Sequence, residues 1–307
     1  ERVRVERDAR DGREVAPLGL LPLDSLSLLG VVCALLRELV RVHASLNVLL
    51  VGVGVQADDG GLVLDEEVLR KSDSVFITPS HQCPTTCTMP ASRRRGLLDL
   101  ASQHDLLIIE DDYEFEMNFL EAATPALKSQ DDEGRVIYVG SLSKSVFPGL
   151  RLGYLVAPEG LIAEARALRH LILRHPPGHS QRTLAYFMAL GHYDAQIRRL
   201  RRHLAGRRAA LQSAMDDHGL FTQTASHFGG TSFWVNGPDW LDAGDLAVRA
   251  RDEGVLIEPG DVFFQPEKPP LNYFRLSYSA ISTDRIADGV ARLAAVIDGM
   301  KGERQVS

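Results

Sequence analysis

Along residues 47–158 the apolar positions fall into short unbroken runs, each closed by a polar or turn-forming residue. Residues 74–78 are a β-branched run ended by Pro79, which predicts a strand. Residues 92–104 carry Leu97, Leu98, Leu100 and Ala101, the spacing of a helix with one buried face. Strands are then predicted at 106–109, stopping at Glu110-Asp111-Asp112, at 136–139, ending at Gly140-Ser141, and at 153–157, ended by Pro158. Strands apolar on both faces that alternate with helices predict an α/β fold, a mostly parallel sheet covered by helices.

After Pro176-Pro177-Gly178 the pattern changes to one long helical stretch, with Ile197, Leu200, Leu204, Leu211 and Met215 on a single stripe. Residues 164–208 hold ten arginines against two acids, which reads as a solvated helix face. His175 and His179 flank the Pro-Pro-Gly turn and are expected in a loop at the pocket rim. The last hundred residues predict a smaller α+β unit. Its strands are expected at 231–235, at 255–260 running into a turn, and at 273–278. Its helices are expected at 241–254 and 283–300, the latter with Ile286, Val290, Leu293 and Ile297 on one side. The expected division is an atypical segment 1–48, a large unit 49–195, and a connecting helix with a small unit 196–307.

The chain has 307 residues, 34 Lys+Arg and 41 Asp+Glu, a net charge of −7, with 45% hydrophobic and 24% charged residues. Such values exclude wholesale disorder, and the acidic balance argues against nucleic-acid binding by the chain as a whole. Three cysteines, Cys33, Cys83 and Cys87, cannot frame a disulfide scaffold, so a reducing, cytoplasmic setting is expected. The longest apolar candidate, residues 15–36, is interrupted by Pro17, Pro22 and Asp24, so no membrane span is expected. His81, Cys83 and Cys87 lack a fourth partner, so no metal is expected. The chain begins at Glu1 rather than Met, which predicts a fragment.

In open α/β sheets ligands bind at the carboxyl ends of the strands. Here those ends carry Asp111 with Tyr113, and Ser141-Leu142-Ser143-Lys144, followed after Phe147-Pro148-Gly149 by Arg151. Hydroxyls with a guanidinium fork suit a phosphate dianion, a lysine in a partly dry site is an amine nucleophile, and a strand-end carboxylate pairs with a protonated ring nitrogen. Those are the needs of pyridoxal 5'-phosphate.

Three segments carry a family resemblance: Thr78-Pro79-Ser80-His81-Gln82; Ile109-Glu110-Asp111-Asp112-Tyr113-Glu114; and Ser141 through Tyr154 with Lys144 and Arg151. They resemble class I/II aminotransferases of pyridoxal-phosphate fold type I, and most of all the aminotransferase-like domain of the MocR branch of GntR-type bacterial regulators. The resemblance runs from about Gly61 to about Gly299. It implies that Lys144 forms the internal aldimine, that Asp111 pairs with the pyridine nitrogen, and that Tyr113 bonds the ring hydroxyl. It implies also that Ser141, Ser143 and Arg151 hold the phosphate, that Arg275 binds the substrate carboxylate, and that the protein is a homodimer. A polar ring contact falls to Gln82 or His81. Residues 1–48 lack the family's Ser-Gly-rich turn and stacking aromatic. Two functions fit: transamination of an amino acid, with Lys144 as general base, or sensing of an amine or amino acid by a regulator whose winged-helix DNA-binding domain lies upstream.

Overall fold

The computed structural model describes residues 56–220, 229–264 and 269–306, so the expectations for residues 1–48 and for Cys33 lie outside the described residues. A short hairpin, β1 (Ala57–Asp58) and β2 (Gly61–Leu62), leads to the one-turn helix α1 (Glu66–Leu69), whose first amides are capped by the Asp65 carboxylate. The large unit is a four-stranded sheet. Strands β3 (Ser74–Ile77), β4 (Leu107–Asp112) and β5 (Val136–Ser141) run parallel, with helix α2 (Ala91–His104) between the first two. Strand β6 (Gly153–Val156) closes the order β3-β4-β5-β6 antiparallel to β5, with Ser141 opposite Gly153. Val75, Ile77, Leu97, Ala101, Leu106, Ile108, Leu127 and Val136 form one core, while Ile109, Ile137 and Val139 pack separately, with Leu155 and Leu161 beside them.

The acids at 110–112 do not end strand β4, as the sequence pattern predicts; they are its last three residues. They stay in the sheet because the interior supplies partners. Glu110 is fully buried and accepts the amides of Leu127 and Lys128 at 2.8 and 2.9 Å. The guanidinium of Arg94, also fully buried, lies 3.8 Å from it. Arg94 further donates to the carbonyls of Met89, Pro125 and Pro79 at 2.9–3.0 Å, tying two loops to α2. The helical spacing of α2 locates Leu97 and Ala101 but cannot reveal a buried cation.

Helices α3 (Glu159–Leu173) and α4 (Gly178–Ala189) precede the long α5 (His192–Asp217). The expected single helical stretch is therefore two helices, broken at Gly191, which takes φ +75°. His179 lies in the first turn of α4 rather than in a loop. Ile197, Leu204, Leu211 and Met215 of α5 are buried as the stripe predicts. Its arginine face is not simply solvated. Arg201 donates to the Glu116 carbonyl at 2.8 Å, Arg207 to the Ser279 carbonyl at 2.5 Å, and Arg208 lies 4.3 Å from the centre of the Phe233 ring.

The small unit holds β7 (Ser232–Asn236), helix α6 (Ala243–Asp252), β8 (Glu258–Pro259), β9 (Tyr273–Ser277) and helix α7 (Ile286–Val306), in an antiparallel sheet of order β7-β9-β8. Phe233, Val235, Phe274 and Leu276 face a core shared with α5, α6 and α7. The strand expected at 255–260 shrinks to Glu258–Pro259, because Leu256 turns outward and is 77% exposed. Among the described residues no helix is long and apolar enough to cross a membrane.

The Arg94–Glu110 pair sets the first prediction. Replacing Arg94 with Met keeps its volume but leaves a buried carboxylate without its cation, a change that costs about 3–5 kcal/mol. Urea unfolding of Arg94→Met should show a loss on that scale; a loss below about 1 kcal/mol would mean that the two backbone amides alone sustain Glu110.

Candidate functional site

Side chains alternate along a strand, so Glu110 and Asp112 leave β4 on one face and Asp111 on the other. Asp112 accepts from the Ser80 hydroxyl at 3.1 Å and from Tyr138 at 3.4 Å, and burial raises its pKa to about 7. Asp111 is different. Its Oδ1 is buried with no hydrogen-bond partner. Burial raises its carboxyl to about 6, opposed by the positive charge of Lys144.

Lys144 and Arg151 belong to the connection between β5 and β6. The antiparallel register brings the two ends of this connection together at Ser141 and Gly153, and Leu142 N–H donates to the Leu152 carbonyl at 3.1 Å. Close pairing at Gly140 and Tyr154 needs the glycine, since a Cβ at 140 would run into the Tyr154 ring. Ser141 Oγ accepts the Ser143 amide at 3.3 Å, tightening the turn that carries Lys144. Arg151 follows a short 3-10 turn, Pro148–Leu150, in the left-handed region at φ +50°, and is exposed.

The Lys144 amine meets a buried cluster. It pairs with Glu114 Oε1 and sits 4.5 Å from the centre of the Tyr113 ring. Glu114 is 1% exposed; it also accepts from the Thr231 hydroxyl at 2.5 Å, and its Oε2 lies 3.3 Å from His81 Nε2. Burial alone would raise the Glu114 pKa, but His81, Lys144 and Thr231 outweigh it and hold the group below the ordinary carboxylate value. Burial pushes the His81 imidazole down and the Tyr113 phenol well up. The Tyr113 hydroxyl donates to the His81 carbonyl at 3.2 Å.

Arg275 reaches this region from β9. It is near enough to Tyr113 and Cys83 to act on both electrostatically. Its Nε and a terminal nitrogen both bind Glu258 Oε2, at 2.6 and 2.5 Å, across the β8–β9 pair. Asp111, Tyr113, Lys144 and Arg275 thus share one region, with Ser143 and Arg151 on the same connection as Lys144 and Ser141 at the end of β5. Of the two neighbours in the Thr78–Gln82 segment, His81 faces Glu114, whereas the Gln82 amide donates to the Cys83 carbonyl at 3.4 Å. Glu114, Thr231 and Glu258 are not among the residues to which the sequence assigns a role. Glu114 stands inside one of the family motifs and so offers a signal. Thr231 and Glu258 become visible only through contacts between separate segments of the chain.

The family model described as aminotransferase class I and II matches residues 64–293. The chain is 51% identical to the HTH-type transcriptional regulator TauR of Rhodobacter capsulatus, over 80% of this chain and 50% of that protein. It is 35% identical to the probable rhizopine catabolism regulatory protein MocR of Rhizobium meliloti, over 80% of this chain and 49% of that one. Among solved structures it resembles LysN, the alpha-aminoadipate aminotransferase of Thermus thermophilus, complexed with N-(5'-phosphopyridoxyl)-L-leucine. That match has 30% identity and a TM-score of 0.75, covering 81% of this chain and 66% of that one. The chain spans about half the length of the two regulators.

Asp111 gives a prediction in the absence of any ligand. Between its ordinary 3.8 and about 6, the folded protein keeps a proton there that the unfolded chain has released, so stability falls as pH rises through that window. A shift of this size corresponds to about 3 kcal/mol. Asp111→Asn cannot ionise, so without cofactor it should resist urea better than the unmodified protein at pH 8. That advantage should vanish below pH 4. An equal difference at both pH values would show that the buried carboxylate is not the cause.

Proposed function

Because the chain belongs to the aminotransferase class I and II family, we propose that it binds pyridoxal 5'-phosphate through Lys144 and reads the amino group of a small ligand, as the effector-sensing part of a longer DNA-binding regulator. The observation that carries the site is Asp111. A buried carboxylate oxygen with no hydrogen-bond partner, within electrostatic reach of a nucleophilic lysine, fits a protonated pyridine nitrogen. The regulator reading is supported by the 51% identity to half of TauR.

When bound, the cofactor supplies an aldehyde carbon for exchange between amines and a ring that withdraws electrons. The chain's own residues do the rest. Lys144 provides the amine, and Asp111 keeps the proton on the ring nitrogen. Tyr113 orients the ring through its hydroxyl. Ser141 and Ser143 offer hydroxyls, and Arg151 a guanidinium fork, to the phosphate. Arg275 binds the ligand carboxylate with a guanidinium that it shares with Glu258. The large unit, 49–195, carries the cofactor, and the small unit, 196–307, brings Arg275 and Thr231 to it. A cytoplasmic homodimer is the assembly this reading expects.

A second reading, catalytic transamination of an amino acid, is favoured by the presence together of Lys144, Asp111 and Tyr113 and by the likeness to LysN. On that reading the released Lys144 Nζ takes the Cα proton as general base. Protein mixed with pyridoxal phosphate should turn yellow, and borohydride should fix the label on Lys144; a label on Lys71 or Lys128 would refute the site. Adding amino acids separates the two readings. Stoichiometric release of a 2-oxo acid marks an enzyme, and a spectral change without it marks a sensor.

Arg275 is tested separately. Arg275→Ala should retain the Lys144 label yet need at least about tenfold more amino acid to change the spectrum, the scale of a charge-assisted pair. An amine without a carboxylate should be little affected. Equal weakening of both ligands would make the Arg275–Glu258 pair purely structural.

A further inference from the structure

We propose that Glu114 is a positioning residue whose carboxylate, set by Thr231 and His81, holds the amine of Lys144 whenever that amine is not bonded to the cofactor. The inference rests on the cofactor reading above and adds to it a role that none of the assigned residues fills. Asp111 serves the ring, Arg151 the phosphate and Arg275 the ligand carboxylate. The Lys144 amine, once released, needs a place of its own. The structure provides one 1% exposed carboxylate in direct contact with it.

Taking Glu114 out of water is costly unless its oxygens are partnered. Oε1 receives both Lys144 and the Thr231 hydroxyl, and Oε2 faces His81. The position is fixed from behind, because the Glu114 carbonyl accepts the Met117 amide at 2.8 Å as the chain turns after β4. Lys144, Tyr113 and His81 face the carboxylate from the large unit. From the small-unit side Arg208 and Arg275 act on the same cluster, through His81. The hydrogen bond of the amine goes to Glu114, while Asp111 feels Lys144 only as a charge.

The consequence is thermodynamic. Any ligand amine that releases Lys144 gains the Lys144–Glu114 pair, so the pair contributes to the binding of every such ligand, with or without a carboxylate. Arg275 can act only on ligands that carry one. The two roles therefore leave different signatures.

Cofactor-loaded wild type, Glu114→Gln and Thr231→Val are compared, with L-alanine and ethylamine as probes and the visible spectrum as readout. Borohydride labelling of Lys144 is checked first in each protein. Glu114→Gln should raise the half-saturating concentration of both probes by about tenfold. Thr231→Val, which removes one donor to Glu114 without touching Lys144, should raise both by about threefold. Unchanged midpoints for both probes, or an effect confined to alanine, would overturn the proposal. If Glu114→Gln does not fold, Thr231→Val decides: a parallel shift supports the proposal and no shift refutes it. Lack of the Lys144 label in the wild type would instead overturn the cofactor reading itself, and this inference with it.

Discussion

A carboxylate leaves water only where something inside the protein replaces what water gave it, and the end of β4 takes four of them inward, at residues 110, 111, 112 and 114. Each is settled differently, and each settlement fixes another part of the molecule. Glu110 holds Arg94 and two amides at 127–128, which locks α2 and the loops around it. Asp112 takes the Ser80 hydroxyl and so fixes the turn that presents His81. Glu114 reaches Thr231 in the small unit and sets its second oxygen against His81. Asp111 keeps a buried oxygen with no hydrogen bond at all, and it is there that we propose the ring nitrogen binds.

Much of the fold was legible in the sequence because β3, β4, β5 and the stripe of α5 are governed by burial, and burial writes itself as periodicity. Ile108, Val136, Leu204 and Met215 are buried where the pattern puts them. What stayed hidden depends on pairing across the chain. Polarity alone makes Glu110–Asp112 look like a strand stop; only Arg94, Ser80 and the 127–128 amides make them strand residues. The break at Gly191 and the loss of residues 255–257 from β8 are settled by local geometry that an apolar count does not register. Lys144, Asp111, Tyr113 and Arg151 could be put forward from the sequence because they sit in contiguous motifs. Thr231 and Glu258 were not, since their partners lie 117 and 17 residues away.

The small sheet shows how one layer serves two purposes. Phe233, Val235, Phe274 and Leu276 face the core. The alternate positions Trp234, Arg275 and Glu258 stand in register across β7, β9 and β8. Arg275 thus lies opposite Trp234 on one neighbouring strand and pairs with the Glu258 carboxylate on the other. Its aim is a property of strand register, and a one-residue slip in β9 would turn Arg275 into the core and Phe274 toward the site.

The contact of Gly230 with His81 bears on how such a site can change over generations. Gly230 takes φ +72°, and any Cβ added there would overlap the imidazole. His81 in turn faces the Glu114 carboxylate. A lineage that enlarges residue 230 must shrink residue 81, and in doing so it strips Glu114 of a neighbour. Positions 81, 114 and 230 are therefore expected to drift together or not at all, a dependence that comparison of many relatives would register as covariation between segments far apart in the chain.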